Sequence, residues 1–585
     1  MLRASAIGRK FTVSAAHRTL ALGIANRTIH RCSYSTGSPT TKSTTAKRRV
    51  KYFATATIIA GSILFYSQHE RHNNFTNDSA VIPQRKVTAQ EVLENNWTVI
   101  DGCVYDLSNF ANTADPSAVR VIKSNGGKDI TSIYFALFGK TSLDNDIFKK
   151  QYAIGILSGK MPSDRVVPKY SSETRDEVIR KEILKNSLPP LANIINVYDF
   201  ENLASKFLPH QAWAYYSSGS DDEISLRENH SAYHRIFFKP RVLVDVSNVD
   251  TSTTLLGKKV DIPIFVAATA LMQLGNPEKA EVNVAKGCGQ AGLHIPQMIS
   301  TFSSNSIEDI TAAKSSDKQA QWFQLYVNGD RKVTKDLIQK VEALGLDALF
   351  VTVDVPLTGH REKDLKIKFS TADNGPSVAQ KKKKDTKQDN GASKALTKFI
   401  DPSLSWNDII EFKKHTKLPI VLKGIQRAED VVKAAELGLA GVVISNHGGR
   451  QLDFARAPVE VLAESVPELE KRGLRSDNFE LFIDGGIRRG TDILKALCLG
   501  AKGVGLGRPF MYANSCYGEE GVEKAISLLK EEVETSMRLL GVTSIDQLGP
   551  DLLDLSTLRN RSVSVARDSL FADTYKTPTL ADFTE

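Results

Sequence analysis

Eight short apolar runs recur between residues 263 and 507, and helix-like segments of 10–16 residues separate most of them. The runs are PIFVAA (263–268), LHIPQMI (293–299), QWFQLYV (321–327), ALFVTVD (348–354), PIVLKG (419–424), GVVIS (441–445), LFIDG (481–485) and GVGLG (503–507). Each predicts a strand. The intervening segments RKVTKDLIQKVEALG (331–345), RAEDVVKAAELG (427–438) and RGTDILKALCLG (489–500) predict helices, each closed by the glycine that commonly ends one. Eight strands alternating with helices predict an α/β chain, a parallel (β/α)8 TIM barrel over 193–585 with a C-terminal tail. A doubly wound open sheet is the alternative, and the count of eight disfavours it. One connection breaks the rhythm: roughly fifty residues separate the fourth strand from the helix SWNDIIEF (405–412). It holds KKKKDTKQDN (381–390), expected to be a solvated surface loop.

Upstream the pattern is different. Residues 87–160 carry short alternating pieces such as WTVIDGCVYDL (97–107) and predict a small α+β domain. Residues 67–86 and 161–192 are polar or charged and predict linkers, the second packing on a neighbour. A chain of 585 residues is long enough for these separate cores.

Charge changes the picture only at the N-terminus. The net charge of +9 suggests an anionic partner until its distribution is read. Residues 1–69 hold eleven Lys and Arg and no acidic residue. The rest of the chain, with 65 basic and 67 acidic residues, is close to neutral, and no basic–aromatic patch points to nucleic acid. The Arg-, Ser-, Thr- and Ala-rich leader resembles a mitochondrial presequence. KRRVK (47–51) then precedes the fifteen-residue stretch YFATATIIAGSILFY (52–66). That stretch is short for a bilayer span and closer to a sorting signal. Together they predict a bipartite address to the mitochondrial intermembrane space, with a permanently anchored protein as the alternative. The five cysteines (Cys32, Cys103, Cys288, Cys498, Cys516) have neither CxxC nor zinc spacing, so no disulfide framework or metal site is expected.

Barrel enzymes carry their chemistry at the C-terminal ends of the strands. Those ends hold Thr269, Ser300, Gln324 and Tyr326, Thr352 and Asp354, Lys423, Ser445 and His447, Asp484, and Arg508. DGGIRRG (484–490) and GLGRPF (505–510) pair glycines with arginine after strands seven and eight, where barrels commonly hold a phosphate. Backbone N–H groups freed by the glycines, with Arg488 or Arg508, suit an anionic cofactor. ISNHGGRQLDF (444–454) sets His447 and Arg450 around two glycines, a base beside an anion clamp.

These residues carry a resemblance. SNHGGRQLD, VDVPLTGHREKD, PIVLKGI, DGGIRRGTD and GLGRP are similar to motifs of the FMN-dependent 2-hydroxyacid oxidase and dehydrogenase family, from residue 193 to the C-terminus. The leader and the small domain bring the chain nearest to the mitochondrial flavocytochrome branch, in which a b5-type heme domain precedes the flavin barrel. The resemblance implies oxidation of an L-2-hydroxy acid, L-lactate or a similar acid, to the 2-keto acid. It gives FMN the contacts Ala267, Ala268, Thr269, Ala270, Ser300, Gln324, Thr352, Lys423, Asp484, Gly485, Gly486, Ile487, Arg488, Gly507 and Arg508. His447 matches the catalytic base and Asp354 its carboxylate partner. Tyr326 matches a tyrosine at the substrate hydroxyl. Tyr215, Arg361 and Arg450 match groups that bind the substrate. A homo-oligomer follows by analogy, a tetramer, with cytochrome c or dioxygen as the electron acceptor.

The chain departs from the family in two places. Heme-binding relatives carry His-Pro-Gly-Gly where this chain reads Asp115-Pro116-Ser117-Ala118, and the second axial histidine falls near Phe138. No His or Met occurs in residues 73–160, so heme b is predicted absent from a cytochrome b5-like domain that keeps its frame. Phe302 stands where lactate-type relatives tend to carry a smaller aliphatic side chain. Two other readings remain beside the dehydrogenase: an oxidase using dioxygen, and a catalytically silent paralogue that acts as a binding partner. Retention of His447, Arg450, Asp354, Lys423 and Tyr326 together argues against silence.

Overall fold

The computed structural model describes residues 82–561, apart from 84, 112–114, 168–174, 186, 291–293 and 370–388. The leader (1–69), the lysines of the 381–390 run, Leu293 of the second apolar run and the last part of the tail lie outside the described residues.

All eight apolar runs supply a strand: Ile264–Val266, Gln297–Ser300, Gln321–Leu325, Ala348–Thr352, Ile420–Ile425, Gly441–Ile444, Glu480–Asp484 and Gly503–Leu506. They close in chain order into a parallel barrel. The runs are continuously apolar because each strand buries both faces. Phe265, Met298, Trp322, Phe350, Val421, Val443 and Phe482 fill the barrel interior. Their neighbours Ile264, Ile299, Phe323, Leu349, Leu422, Val442 and Ile483 face the surrounding helices. The interior is tight: Trp322 stacks on Phe350 with centroids 4.9 Å apart. Gly505 leaves room for Phe265, whose ring a Cβ there would meet at 2.5 Å.

The helices follow the predicted segments: Arg331–Ala343, Ala428–Glu436 and Gly490–Cys498. Gly345, Gly438 and Gly500 close them with φ of 75°, 61° and 97°. That left-handed region is reached at low cost only by glycine.

The N-terminal module is a four-stranded sheet in the order Lys86–Thr88, Ala153–Ser158, Cys103–Tyr105, Thr98–Ile100. Asp101 and Gly102, both at positive φ, turn the hairpin read from WTVIDGCVYDL. Helices Pro116–Lys123 and Thr131–Phe138 pack on the sheet. The 161–192 segment is not bare linker: its helix Arg175–Lys185 sends Val178, fully buried, into the module's core. Arg180 of the same helix donates to the carbonyls of Lys206 (2.7 Å) and Leu208 (3.0 Å) at the start of the barrel region.

Candidate active site

An open cleft lies at the C-terminal ends of the barrel strands. Every candidate cofactor residue lines it: Ala267–Ala270, Ser300, Gln324, Thr352, Lys423, Asp484–Arg488, Gly507 and Arg508. Tyr215, Tyr326, Arg361, His447 and Arg450 line the same cleft, and Asp354 lies behind His447.

His447 follows strand six at φ 60°, a conformation costing a non-glycine residue roughly 1–3 kcal/mol. Its N–H donates to Ser445 Oγ (3.0 Å), and Gly448 and Gly449 continue the turn at φ 64° and 74°. Gly449 must be glycine on space as well, because a Cβ there would stand 2.5 Å from Leu226 Cα. Imidazole Nδ1 lies 3.0 Å from Asp354 Oδ1, and Nε2 lies 3.4 Å from the Tyr326 hydroxyl. Burial alone would raise the Asp354 carboxyl, but the imidazole and the Lys423 ammonium outweigh it and hold it below the usual carboxylate range. An ionised carboxylate only accepts, so Nδ1 carries the proton and Nε2 presents its lone pair to the cleft. Burial pushes the imidazole below the ordinary histidine value; Asp354 opposes this, and Lys423 and Arg361 add to it. A neutral base at neutral pH results. Gly424, at φ 109°, gives Asp354 its room: a Cβ there would meet Asp354 Cγ at 2.4 Å.

Lys423 is 5% exposed, and its Nζ stands 3.2 Å from Asp484 Oδ2 and 3.4 Å from Ser445 Oγ. Burial works against its charge, but Asp484 and Asp354 prevail and keep it an ammonium. Across the floor, Ser300 Oγ donates to Gln324 Oε1 (3.2 Å) and Gln324 Nε2 donates to Thr352 Oγ1 (2.8 Å). This ladder fixes the side chains of strands two, three and four toward the cleft.

Three arginines converge without carboxylate partners among the described residues. Arg450 Nη1 donates to the carbonyls of Tyr215 (2.9 Å) and Tyr216 (3.0 Å), with its guanidinium 5.0 Å from the Tyr215 ring centroid. Arg361 is 4% exposed and donates from Nε to the Arg450 carbonyl (3.2 Å). Burial, and then the Arg450 charge, push it down to about 10. Arg508 spends its donors on the carbonyls of Tyr216 (2.9 Å), Gly448 (3.0 Å) and Ser218 (3.0 Å), and is likewise pushed down to about 10 by burial and Arg450. It lines the cleft while tying the His447 loop to residues 216–218. Arg488 is compensated by Glu201 at 3.3 Å. Uncompensated positive charge around a neutral base is an anion site.

The sequence reading missed Asn229, His230 and Tyr198. Asn229 and Asn446 exchange amide hydrogen bonds of 2.7 and 2.6 Å. His230 Nδ1 stands 2.8 Å from the Gly486 carbonyl and Nε2 stands 2.8 Å from the Tyr198 hydroxyl. For Asn229 and His230 the one signal is polarity inside SLRENH (225–230), indistinguishable from a surface helix until the fold buries it. Also missed was Gln451, whose Nε2 donates to the carbonyls of Asp354 (3.0 Å) and Leu357 (2.8 Å). Among the described residues no three His, Cys, Asp or Glu side chains gather as a metal site. Cys103, Cys288, Cys498 and Cys516 are free.

Comparison with known proteins agrees with this geometry. The profile described as FMN-dependent dehydrogenase matches residues 204–555, and that of the cytochrome b5-like heme/steroid binding domain matches residues 85–158. The chain is 59% identical to L-lactate dehydrogenase (cytochrome) of Saccharomyces cerevisiae over 506 residues, 86% of this chain and 85% of that one. It is 39% identical to glycolate oxidase of Spinacia oleracea over 362 residues, 61% of this chain and 94% of the relative. The solved flavin-binding domain of baker's yeast flavocytochrome b2 superposes with a TM-score of 0.62 at 62% identity, covering 71% of this chain and all of that domain.

Proposed function

This chain belongs to the FMN-dependent dehydrogenase family, and we propose that it oxidises a small L-2-hydroxy acid, L-lactate or one close to it, to the 2-keto acid. The observation that carries the reading is the His447–Asp354 pair at 3.0 Å, set in one cleft with Arg450 and Arg361. FMN, when bound, supplies the acceptor for the two electrons leaving the substrate. Lys423, Ser300, Gln324 and Thr352 suit its ring system. The backbone of residues 484–488 with Gly507 and Arg508 suits its ribityl and phosphate ends. The positive-φ glycines Gly485 and Gly486 turn that loop.

Arg450 offers the substrate carboxylate a fixed fork with Nη2 and Nε, while Nη1 is anchored on backbone carbonyls. Arg361 and Tyr215 border the same place. His447 Nε2 takes the proton released on oxidation, and Asp354 stabilises the resulting imidazolium. A positioned base of this kind contributes roughly 10²–10⁴-fold. Burial, with Asp354 nearby, pushes the Tyr326 hydroxyl up, so it serves as a neutral donor at the substrate oxygen. Phe302 stacks on Tyr326 (centroids 4.9 Å, 21°) and meets Phe399 edge-on at 6.1 Å. This aromatic wall favours small side chains on the substrate.

FMN is the only redox group in this reading, because Asp115 and Phe138 are not heme ligands. The electrons then pass to an external acceptor, dioxygen or a one-electron carrier such as cytochrome c. The domain limits fit the same reading: a mitochondrial leader over 1–69, a b5-like module over 87–160, a connector over 161–192 and the flavin barrel from 193. The leader supports an address in the mitochondrial intermembrane space, and analogy with the family supports a homo-oligomer.

The test is anaerobic mixing of the purified yellow protein with L-lactate, followed by addition of oxygen or ferric cytochrome c. Bleaching of the flavin with one keto acid formed per FMN supports the reading. Flavin that stays oxidised with every small L-2-hydroxy acid would overturn it and favour the silent paralogue.

A further inference from the structure

The N-terminal module has the fold of a heme-binding domain, yet one arginine bridges Asp115 and the residue before Phe138, the two positions that match its axial ligands. Asp115 caps the helix Pro116–Lys123: its Oδ1 accepts from the Ala118 N–H at 2.9 Å. Its Oδ2 pairs with the guanidinium of Arg175, the first residue of the helix Arg175–Lys185. Arg175 Nε also donates to the Leu137 carbonyl at 2.9 Å, one residue before Phe138. A single guanidinium therefore ties together the two places where a b5-type domain sets its imidazoles.

The space beside this pin is aromatic. The Phe138 ring lies 5.1 Å from Tyr134 and 6.1 Å from Phe110. Phe110 in turn meets Phe148 edge-on at 6.0 Å. Val178, from the helix that carries Arg175, is fully buried in the same cluster. A b-type heme needs strong axial donors such as the neutral nitrogen of histidine. Asp115, charged and already hydrogen-bonded, and Phe138, with no donor atom, supply none, so the residues present do not fit the group.

We infer that the helix Arg175–Lys185 has taken over the structural place of the heme. Arg175 pins the two former ligand positions and the aromatic cluster fills the interior. The module is a heme-free arm, held to the barrel through Arg180 of the same helix. This rests on the reading of FMN as the sole redox group, and it adds a cause: Arg175 opposes heme binding independently of the missing histidines. Restoring Asp115→His and Phe138→His therefore leaves heme binding weak unless Arg175 is removed as well.

The full-length protein, purified with FMN, is titrated with hemin and followed by absorbance and by the pyridine hemochrome assay. The parent is expected to take up no stoichiometric low-spin heme. The double variant D115H/F138H should bind hemin about tenfold more weakly than the triple variant D115H/F138H/R175A, the weight of one charge-assisted hydrogen bond. R175A alone should lower the module's thermal unfolding temperature and leave flavin reduction by L-lactate unchanged. A parent protein with one b-type heme per FMN overturns the inference, and so does a double variant that binds as tightly as the triple. Should the histidine variants fail to fold, R175A decides: an unfolding temperature equal to the parent's overturns the pin. Flavin bleaching on the same samples keeps the two claims apart: its loss counts against the proposed reaction, and heme uptake counts against this inference.

Discussion

Asn229 and Asn446 hold each other by two reciprocal amide hydrogen bonds, 2.7 and 2.6 Å long, with both side chains buried. Asn446 Oδ1 also accepts from the Gly449 N–H (3.0 Å), and Asn446 is the residue before His447. The next residue in the helix, His230, grips the Gly486 carbonyl. One dipeptide thus fixes the loop of the base and the glycine loop of the cofactor site. Asn229→Leu keeps the volume and removes both reciprocal bonds, leaving Asn446 tied only to the Gly449 N–H and the Arg456 carbonyl. It should slow flavin reduction by L-lactate roughly 10–10²-fold, as sub-ångström misplacement of a catalytic group does. FMN content should stay at one per chain. Stopped-flow reduction at saturating substrate checks this; an unchanged rate would mean the loop keeps its geometry without the pair.

His447→Gln removes the basic nitrogen while keeping a polar side chain of similar reach. Flavin reduction should fall roughly 10²–10⁴-fold with FMN still bound. The pH profile of the parent gives an independent check. The neutral imidazole is the active form, and burial holds it below the ordinary 6.5. Activity should therefore hold as pH falls through 6.5 and decline only at lower pH. A midpoint of kcat/KM above 6.5 would contradict the assignment.

The barrel was legible because each strand buries both faces, which leaves an unbroken apolar run, and because Gly345, Gly438 and Gly500 stop helices at positive φ. His447, Arg450, Lys423 and Asp484 were legible because they interrupt such runs at their ends. Asn229 and His230 were not, because they act through contacts with residues 217 and 256 positions away. Helix periodicity carries no information about partners at that distance. Arg175 was hidden for the same reason. It reads as one charge in a charged connector until the fold sets it between Asp115 and Leu137.

Arg450→Lys keeps the charge and loses the planar fork. Lysine can replace neither the Nη1 bonds to Tyr215 and Tyr216 nor two parallel bonds to a carboxylate at once. KM for L-lactate should rise about 10–100-fold, matching a charged hydrogen bond of about 1.5–3 kcal/mol, and kcat should fall with it. Steady-state kinetics with an artificial acceptor decides. Parent-like behaviour would move the carboxylate to Arg361.

Phe302→Ala removes a ring stacked 4.9 Å from Tyr326. Relative kcat/KM for acids with longer or aromatic side chains should rise against L-lactate. A substrate series measured on parent and variant tests this, and an unchanged ranking would place the side-chain pocket elsewhere.

Gly486→Ala is expected to loosen FMN with little effect on the fold. Gly486 sits at φ 83°, and a Cβ there would lie 2.1 Å from the Asn229 carbonyl oxygen and 2.7 Å from the His230 nitrogen. Both neighbours are backbone, so the clash is not relieved by a rotamer change. The cheapest response is a shift of the 485–488 loop, which also breaks the His230 bond to the Gly486 carbonyl. FMN affinity should drop about tenfold or more, the loss of a well-placed charge-assisted contact. Gly473→Ala is the matched control. It has φ 67° but nothing within 4 Å of the added Cβ, and it lies in the turn after a surface helix. It should cost about 1 kcal/mol of stability through backbone strain and leave the FMN dissociation constant unchanged. Recovery of flavin fluorescence on dilution measures the dissociation constant, and thermal unfolding measures stability. Equal FMN affinity in the two variants would show that the 485–488 loop does not hold the cofactor.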